Sequence, residues 1–118
     1  MTPTIVEQDG RPVFVLGSPG GPRIITAVLE TLTGIIDFGL APDQAVAAPR
    51  FHQQWLPDTL LYERGGFAAA MLAELAERGY HPVEQAAWGA VELIAIGPGH
   101  RLLGVNDPRR AAGSAAGY

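Results

Sequence analysis

Val13-Phe14-Val15-Leu16-Gly17-Ser18-Pro19-Gly20-Gly21-Pro22-Arg23-Ile24-Ile25-Thr26-Ala27-Val28-Leu29 passes from a strand pattern, through a turn of Gly and Pro, into a helix pattern. Val13–Leu16 is an apolar run rich in β-branched and aromatic residues. Thr4–Glu7 is a second β-prone run, and Asp9-Gly10 between them is a turn signal, so the two read as a hairpin with its loop at Gln8–Pro12. Beyond the turn, apolar residues fall at Ile24, Ile25, Val28, Leu29, Leu32, Ile35 and Ile36, which is helical spacing. The face Ile25, Val28, Leu29, Leu32 and Ile36 is expected to lie buried on a sheet. Gly39 stands where a helix C-terminal glycine would.

Working outward, Ala41–Ala48 reads as a short helix with Pro42 in its first turn and Pro49 beyond its end. Arg50–Leu56 reads as an irregular or extended loop. Thr59–Glu63 is a strand candidate stopped by Gly65-Gly66, and Phe67–Arg78 is an Ala/Leu/Glu-rich helix closed by Gly79. Tyr80–Glu84 and Val91–Ile96 are strand candidates. Pro98-Gly99 is a turn, and Arg101–Val105 completes a second hairpin. The order ββ, αα, β, α, β, ββ predicts an α+β layer rather than regular βαβ winding, with the first hairpin and the later strands in one sheet.

The 118 residues suit one domain. The 15 Gly and 10 Pro exceed the roughly 12% of average usage, but they are dispersed and punctuate short elements. Hydrophobic residues are 47%, enough for a packed core rather than disorder. The net charge is −4, and all eight basic residues are Arg, with no basic stripe, which disfavours nucleic acid as a partner. With no Cys, disulfides, thiolate catalysis and Cys-ligated zinc are excluded. No run approaches the ~20 apolar residues of a membrane span, and Met1–Gly10 lacks a signal-peptide pattern.

Chemistry concentrates in Gly17–Gly21. Adjacent Gly amides at a helix N-terminus can converge on an anion or oxyanion; a plain strand-to-helix turn with no ligand gives the same pattern. The Gly-Lys-Ser/Thr element of a P-loop is missing. Ser18 has a poor claim as nucleophile, because the order Gly-Ser-Pro-Gly-Gly is not the elbow Gly-x-Ser-x-Gly. Thr2 would become N-terminal on removal of Met1 and is a second weak nucleophile candidate. His52, His81 and His100 show no metal-ligand spacing. The Phe51–Trp55 loop reads as a lid or interface packed through Phe51 and Trp55 with its amides exposed. Glu74, Glu77 and Arg78 read as a solvated helix face, and Asp107-Pro108-Arg109-Arg110 as a turn with ion pairing.

Together, Met1–Val6, Gly17–Gly21, Asp37–Leu40, Ala45-Val46, Ala48–Asp58, Asp107–Arg109 and Ala116–Tyr118 resemble the C-terminal part of the γ-glutamyltranspeptidase small subunit. Order and spacing agree over the whole of residues 1–118, and Ala-Pro-Arg-Phe-His followed by Gln-Trp-Leu-Pro-Asp is the most specific run. The resemblance implies part of the αββα sandwich of N-terminal-nucleophile hydrolases, a fragment lacking the nucleophile strand. It implies transfer of the γ-glutamyl group of glutathione or a related amide to water, amino acids or peptides. Gly20 and Gly21 would be the oxyanion hole. The Thr nucleophile and the residues that hold the γ-glutamyl group would lie upstream. The expected partners are therefore a large subunit, the N-terminal part of the small subunit and a γ-glutamyl compound. No cofactor or metal is implied, and a periplasmic or secreted location is. His52-Gln53-Gln54, Trp88-Gly89 and Glu92 depart from the family pattern. The alternative reading is a non-catalytic fragment of a truncated or split gene, inactive alone and at best an interaction piece.

Overall fold

A computed structural model of the chain describes residues 3–116. Thr2, as well as Met1, Gly117 and Tyr118 of the family-like ends, lies outside the described residues. The elements in order are β1 (Thr4–Gln8), β2 (Arg11–Gly17), a 3-10 turn (Gly21–Arg23), α1 (Ile24–Ile36), α2 (Pro42–Ala47), β3 (Phe51–His52), β4 (Leu60–Glu63), α3 (Ala69–Glu77), β5 (Pro82–Gln85), β6 (Glu92–Ile96), a 3-10 turn (Pro98–His100) and β7 (Leu102–Val105). The chain divides into two compact units. One comprises the residues up to Ala47 together with those from Gly89 onward; the other is Ala48–Trp88.

The first unit is an antiparallel sheet ordered β1-β2-β6-β7. Both expected hairpins form, and the register places Leu16 opposite Leu93 and Leu93 opposite Val105. Side chains alternate across a strand, so these three share one face. That face meets Ala27 and Val28 of α1 and Val46 of α2, with Val91, to form the apolar core. The other face carries Ile5 beside Val15 and Val15 beside Ile94, and both Ile5 and Ile94 are exposed. β1 and β7 are the sheet's two outer strands.

Two expectations fail here. α1 is buried through Ala27, Val28, Thr31 and Gly34, whereas Ile25, Leu29 and Ile36 are exposed, at 75%, 59% and 59%. The helix is apolar on two opposite faces, and the small-residue face is the one on the sheet. The reason is close approach: a Cβ added at Gly34 would stand 3.3 Å from the Ala45 Cβ of α2, so bulky residues cannot occupy that seam. The second failure concerns the later strands. β4 and β5 belong not to the main sheet but to a separate three-stranded one, ordered β3-β4-β5.

That second sheet is the frame of the Ala48–Trp88 unit. β3 pairs antiparallel with β4, and β4 pairs parallel with β5. Parallel neighbours need a crossover, and α3 supplies it, so one βαβ step exists after all. α3 itself buries no residue; its Glu74 and Arg78 pair in solvent at 2.6 Å, as a solvated face should.

Candidate functional site: the Gly17–Gly21 turn

β2 ends at Gly17, and the next residues leave strand geometry at once. Gly20 has φ 141°, ψ 14°, and Gly21 has φ 58°. Both values lie in the left-handed half of conformational space, where glycine is at ease and L side chains are strained. The Gly20 carbonyl accepts the Arg23 N–H (3.2 Å), the first bond of the helical segment. The Gly20 and Gly21 N–H groups precede that bond, so they belong to the donors that a helix N-terminus leaves without an intrahelical acceptor. Both residues are exposed. Amides at the positive end of a helix favour a negative oxygen.

Ser18 is buried to 0% exposure. Its hydroxyl donates to the Pro19 carbonyl (2.8 Å) and accepts the Ala90 N–H (3.1 Å). A hydroxyl so shielded and so engaged is part of the scaffold, in line with its poor claim as a nucleophile. The strand-side support of the turn is Gly89-Ala90-Val91. A Cβ at Gly20 would come within 3.9 Å of the Gly89 Cα, and Val91 N–H is held by the Asp107 carboxylate (2.7 Å). Asp107 is fully buried; it also accepts the Arg109 N–H (2.9 Å) and the Arg109 guanidinium (3.2 Å), which in turn reaches the Val46 carbonyl (3.0 Å). The expected ion-paired turn is present, and Arg110 N–H closes it onto the Asp107 carbonyl.

The histidines do not gather, and among the described residues no group of three or more His, Asp or Glu is arranged to hold a metal ion. His52 is buried, with Nε2 2.9 Å from Gln54 Oε1. His81 lies in solvent beside Asp58 at 3.4 Å, and His100 is exposed. The Phe51–Trp55 loop takes its expected form in part: Phe51 packs and the Gln53 and Gln54 amide bonds lie at the surface, but Trp55 does not pack. Its amides are engaged within the loop: Gln53 Nε2 donates to Asp58, Gln54 Nε2 to the Leu56 carbonyl, and the Trp55 N–H to Gln53 Oε1. Phe51 meets Phe67 edge-on, but Trp55 is 77% exposed. The loop is thus braced by its own polar groups, and its tryptophan is largely exposed.

Sequence reasoning passed over a further group in the same unit. The buried Glu63 carboxylate accepts the Arg50 N–H and the Trp88 N–H, each at 3.2 Å, and buried Arg50 donates Nη1 to the Trp88 carbonyl at 2.9 Å. Glu63 closes a strand pattern before Arg64 and two Gly, a position that reads as solvent-facing. Arg50 falls within the Ala-Pro-Arg-Phe-His run, where nothing local marks it as buried.

The family model for gamma-glutamyltranspeptidase matches residues 1–118. The glutathione hydrolase proenzyme of Escherichia coli strain K12 is 46% identical over 118 residues, which are all of this chain and 20% of that protein. The enzyme of the same name from Pseudomonas sp. strain A14 is 42% identical, again over all of this chain and 22% of its own length. The chain therefore spans about a fifth of these relatives. Among solved structures, a Helicobacter pylori gamma-glutamyltranspeptidase T380A mutant superposes with TM-score 0.88 at 41% identity, covering 93% of this chain and 61% of that one. Gamma-glutamyltranspeptidase from Pseudomonas nitroreducens complexed with L-DON gives TM-score 0.85 at 37% identity, covering 100% and 61%. The expected α+β architecture of the N-terminal-nucleophile hydrolases is thereby found, and the chain belongs to the gamma-glutamyltranspeptidase family.

Proposed function

We propose that residues 1–118 form the C-terminal segment of the small subunit of a glutathione hydrolase/γ-glutamyltransferase and supply its oxyanion hole from the Gly20 and Gly21 N–H groups. The observation that carries this reading is the turn itself: two consecutive glycines with positive φ, exposed, at the head of α1. Attack on a γ-glutamyl amide carbonyl turns its oxygen into an alkoxide in the tetrahedral intermediate. Donors already aimed at that oxygen stabilise it without reorganising. The nucleophilic Thr and the groups that grip the glutamyl α-amino and α-carboxylate come, on this reading, from residues outside these 118. So do the large subunit and the N-terminal part of the small subunit as partners. Glutathione or another γ-glutamyl compound is the donor, and the compartment is periplasmic or secreted. Among the described residues no helix is long and apolar enough to cross a membrane.

The test is a hybrid in which residues 1–118 replace the matching segment of the Escherichia coli glutathione hydrolase proenzyme. The hybrid is expected to hydrolyse γ-glutamyl-p-nitroanilide, and the 118-residue chain alone to be inert. A folded hybrid with no turnover contradicts the reading. Turnover by the chain alone contradicts it too, and would return Thr2 or Ser18 to consideration.

A further inference from the structure

We infer that Ser18 is a positioning residue for the oxyanion site, acting through the peptide plane that ends in the Gly20 N–H. The inference rests on the oxyanion reading of Gly20 and Gly21. The Pro19–Gly20 peptide is a rigid planar unit. It is trans, since Leu56-Pro57 is the one cis peptide among the described residues. In a trans peptide the C=O and the N–H point in opposite directions, so whatever holds the Pro19 oxygen also aims the Gly20 hydrogen.

The Ser18 hydroxyl holds that oxygen at 2.8 Å. The hydroxyl is itself fixed, because its oxygen accepts the Ala90 N–H at 3.1 Å and the side chain is sealed from solvent. Pro19 removes the remaining freedom on its own side by fixing φ. The adjacent plane follows the same logic: the Gly20 carbonyl is held by Arg23 N–H, which aims the Gly21 N–H. Each proposed donor is therefore oriented from the carbonyl end of its own peptide, one by a side chain and one by the helix. The Ser18 bond has a second effect. A carbonyl that accepts a hydrogen bond polarises its amide, and chains of such bonds strengthen by about 10–30% per bond, so Gly20 becomes a better donor.

With Ala at position 18 both bonds disappear. The Pro19–Gly20 plane is then free to rock, and Ala90 N–H loses its acceptor. Thr keeps the hydroxyl and is the conservative variant. In the Escherichia coli hybrid, Ser18→Ala is expected to lower kcat on γ-glutamyl-p-nitroanilide about 10-fold with KM changed less than about twofold, because the alkoxide exists in the transition state and not in bound substrate. Ser18→Thr is expected to restore most of kcat. Loss of structure alone would lower the fraction of folded, active hybrid and leave kcat per active site unchanged, which active-site titration separates from a fall in kcat.

Hydrogen exchange by mass spectrometry on the same hybrid gives the second reading. Ser18→Ala should speed exchange in peptides covering 17–23 and 88–91 and leave β4 and β5 unchanged; unchanged exchange in both peptides overturns the inference. An active hybrid whose kcat is indifferent to Ser18→Ala also overturns it while the oxyanion reading stands. A parent hybrid that folds but has no activity refutes the oxyanion reading instead, and exchange then decides whether Ser18 positions the turn.

Discussion

The two units hold a similar device in different surroundings. In each, a buried carboxylate accepts two backbone N–H groups: Asp107 those of Val91 and Arg109, Glu63 those of Arg50 and Trp88. Around Asp107 lies an apolar core of Leu16, Val28, Val46, Val91, Leu93 and Val105. Around Glu63 the buried apolar residues of the unit are Leu60 and Trp88, and the other buried side chains are Arg50 and His52. One unit is held by apolar burial and pinned by a carboxylate; the other depends on its carboxylate. Three of the four N–H groups from Trp88 to Val91 end on side chains, Glu63, Ser18 and Asp107. Side chains therefore fix a non-strand segment that no ladder could hold.

If that contrast is right, Glu63→Ala has the largest effect, about 3–5 kcal/mol, since it strands the two buried N–H groups of Arg50 and Trp88. Hydrogen exchange should show β3, β4 and β5 losing protection while β2 and β6 keep theirs. A uniform loss over both units would break the distinction. Leu16→Ala should come next, at about 3 kcal/mol from lost burial and the cavity, with loss of protection confined to β1, β2, β6 and β7. Asp107→Asn keeps an acceptor oxygen and loses the charge; about 1–3 kcal/mol is expected, measured by urea unfolding, and less than half the Glu63→Ala effect would sharpen the comparison.

The smallest effect belongs to the outer ridge of α1. Replacing Ile25, Leu29 and Ile36 together with Gln should change stability by no more than about 0.5 kcal/mol per site. The same change should alter association. A helix apolar on opposite faces is one that is buried on both, and among the described residues the outer strands β1 and β7 have no partner on their outer edges. The opposite sheet face adds a groove of about 530 Å³ lined by residues that include Val15, Ile94 and Leu102. The chain on its own is thus expected to self-associate, and the triple variant to sediment closer to a monomer. A monodisperse monomer with a sharp cooperative melt would contradict this.

Much of the fold was legible because local signals agreed. Asp9-Gly10 and Pro98-Gly99 mark both hairpins, and Gly39 and Gly79 follow the two longer helices, each with positive φ. The buried face of α1 was not legible, because counting large apolar residues favours Ile25 and Leu29, while the buried face is Ala27, Val28, Thr31 and Gly34, with Gly34 set close against α2. Nor could spacing reveal that β4 and β5 leave the main sheet, since a single βαβ step reads like any strand–helix–strand run. At the candidate site, composition and position single out the Gly17–Gly21 turn, and the family resemblance assigns Gly20 and Gly21 within it. Ser18 reads locally as no more than a poor nucleophile, because its bond to Ala90, 72 residues away, has no local signature.

The most direct test of the central claim is the effect of Gly20→Ala and Gly21→Ala on the Escherichia coli hybrid. A Cβ at Gly21 meets nothing within 4 Å, and one at Gly20 meets only contacts of ordinary length, so crowding is not the issue; at φ 58° and 141° a side chain turns the peptide planes. The account predicts that kcat on γ-glutamyl-p-nitroanilide falls about 10²–10³-fold, the loss of an oxyanion donor, with KM nearly unchanged and the hybrid still folded. Both variants turning over within about twofold of the parent would contradict it.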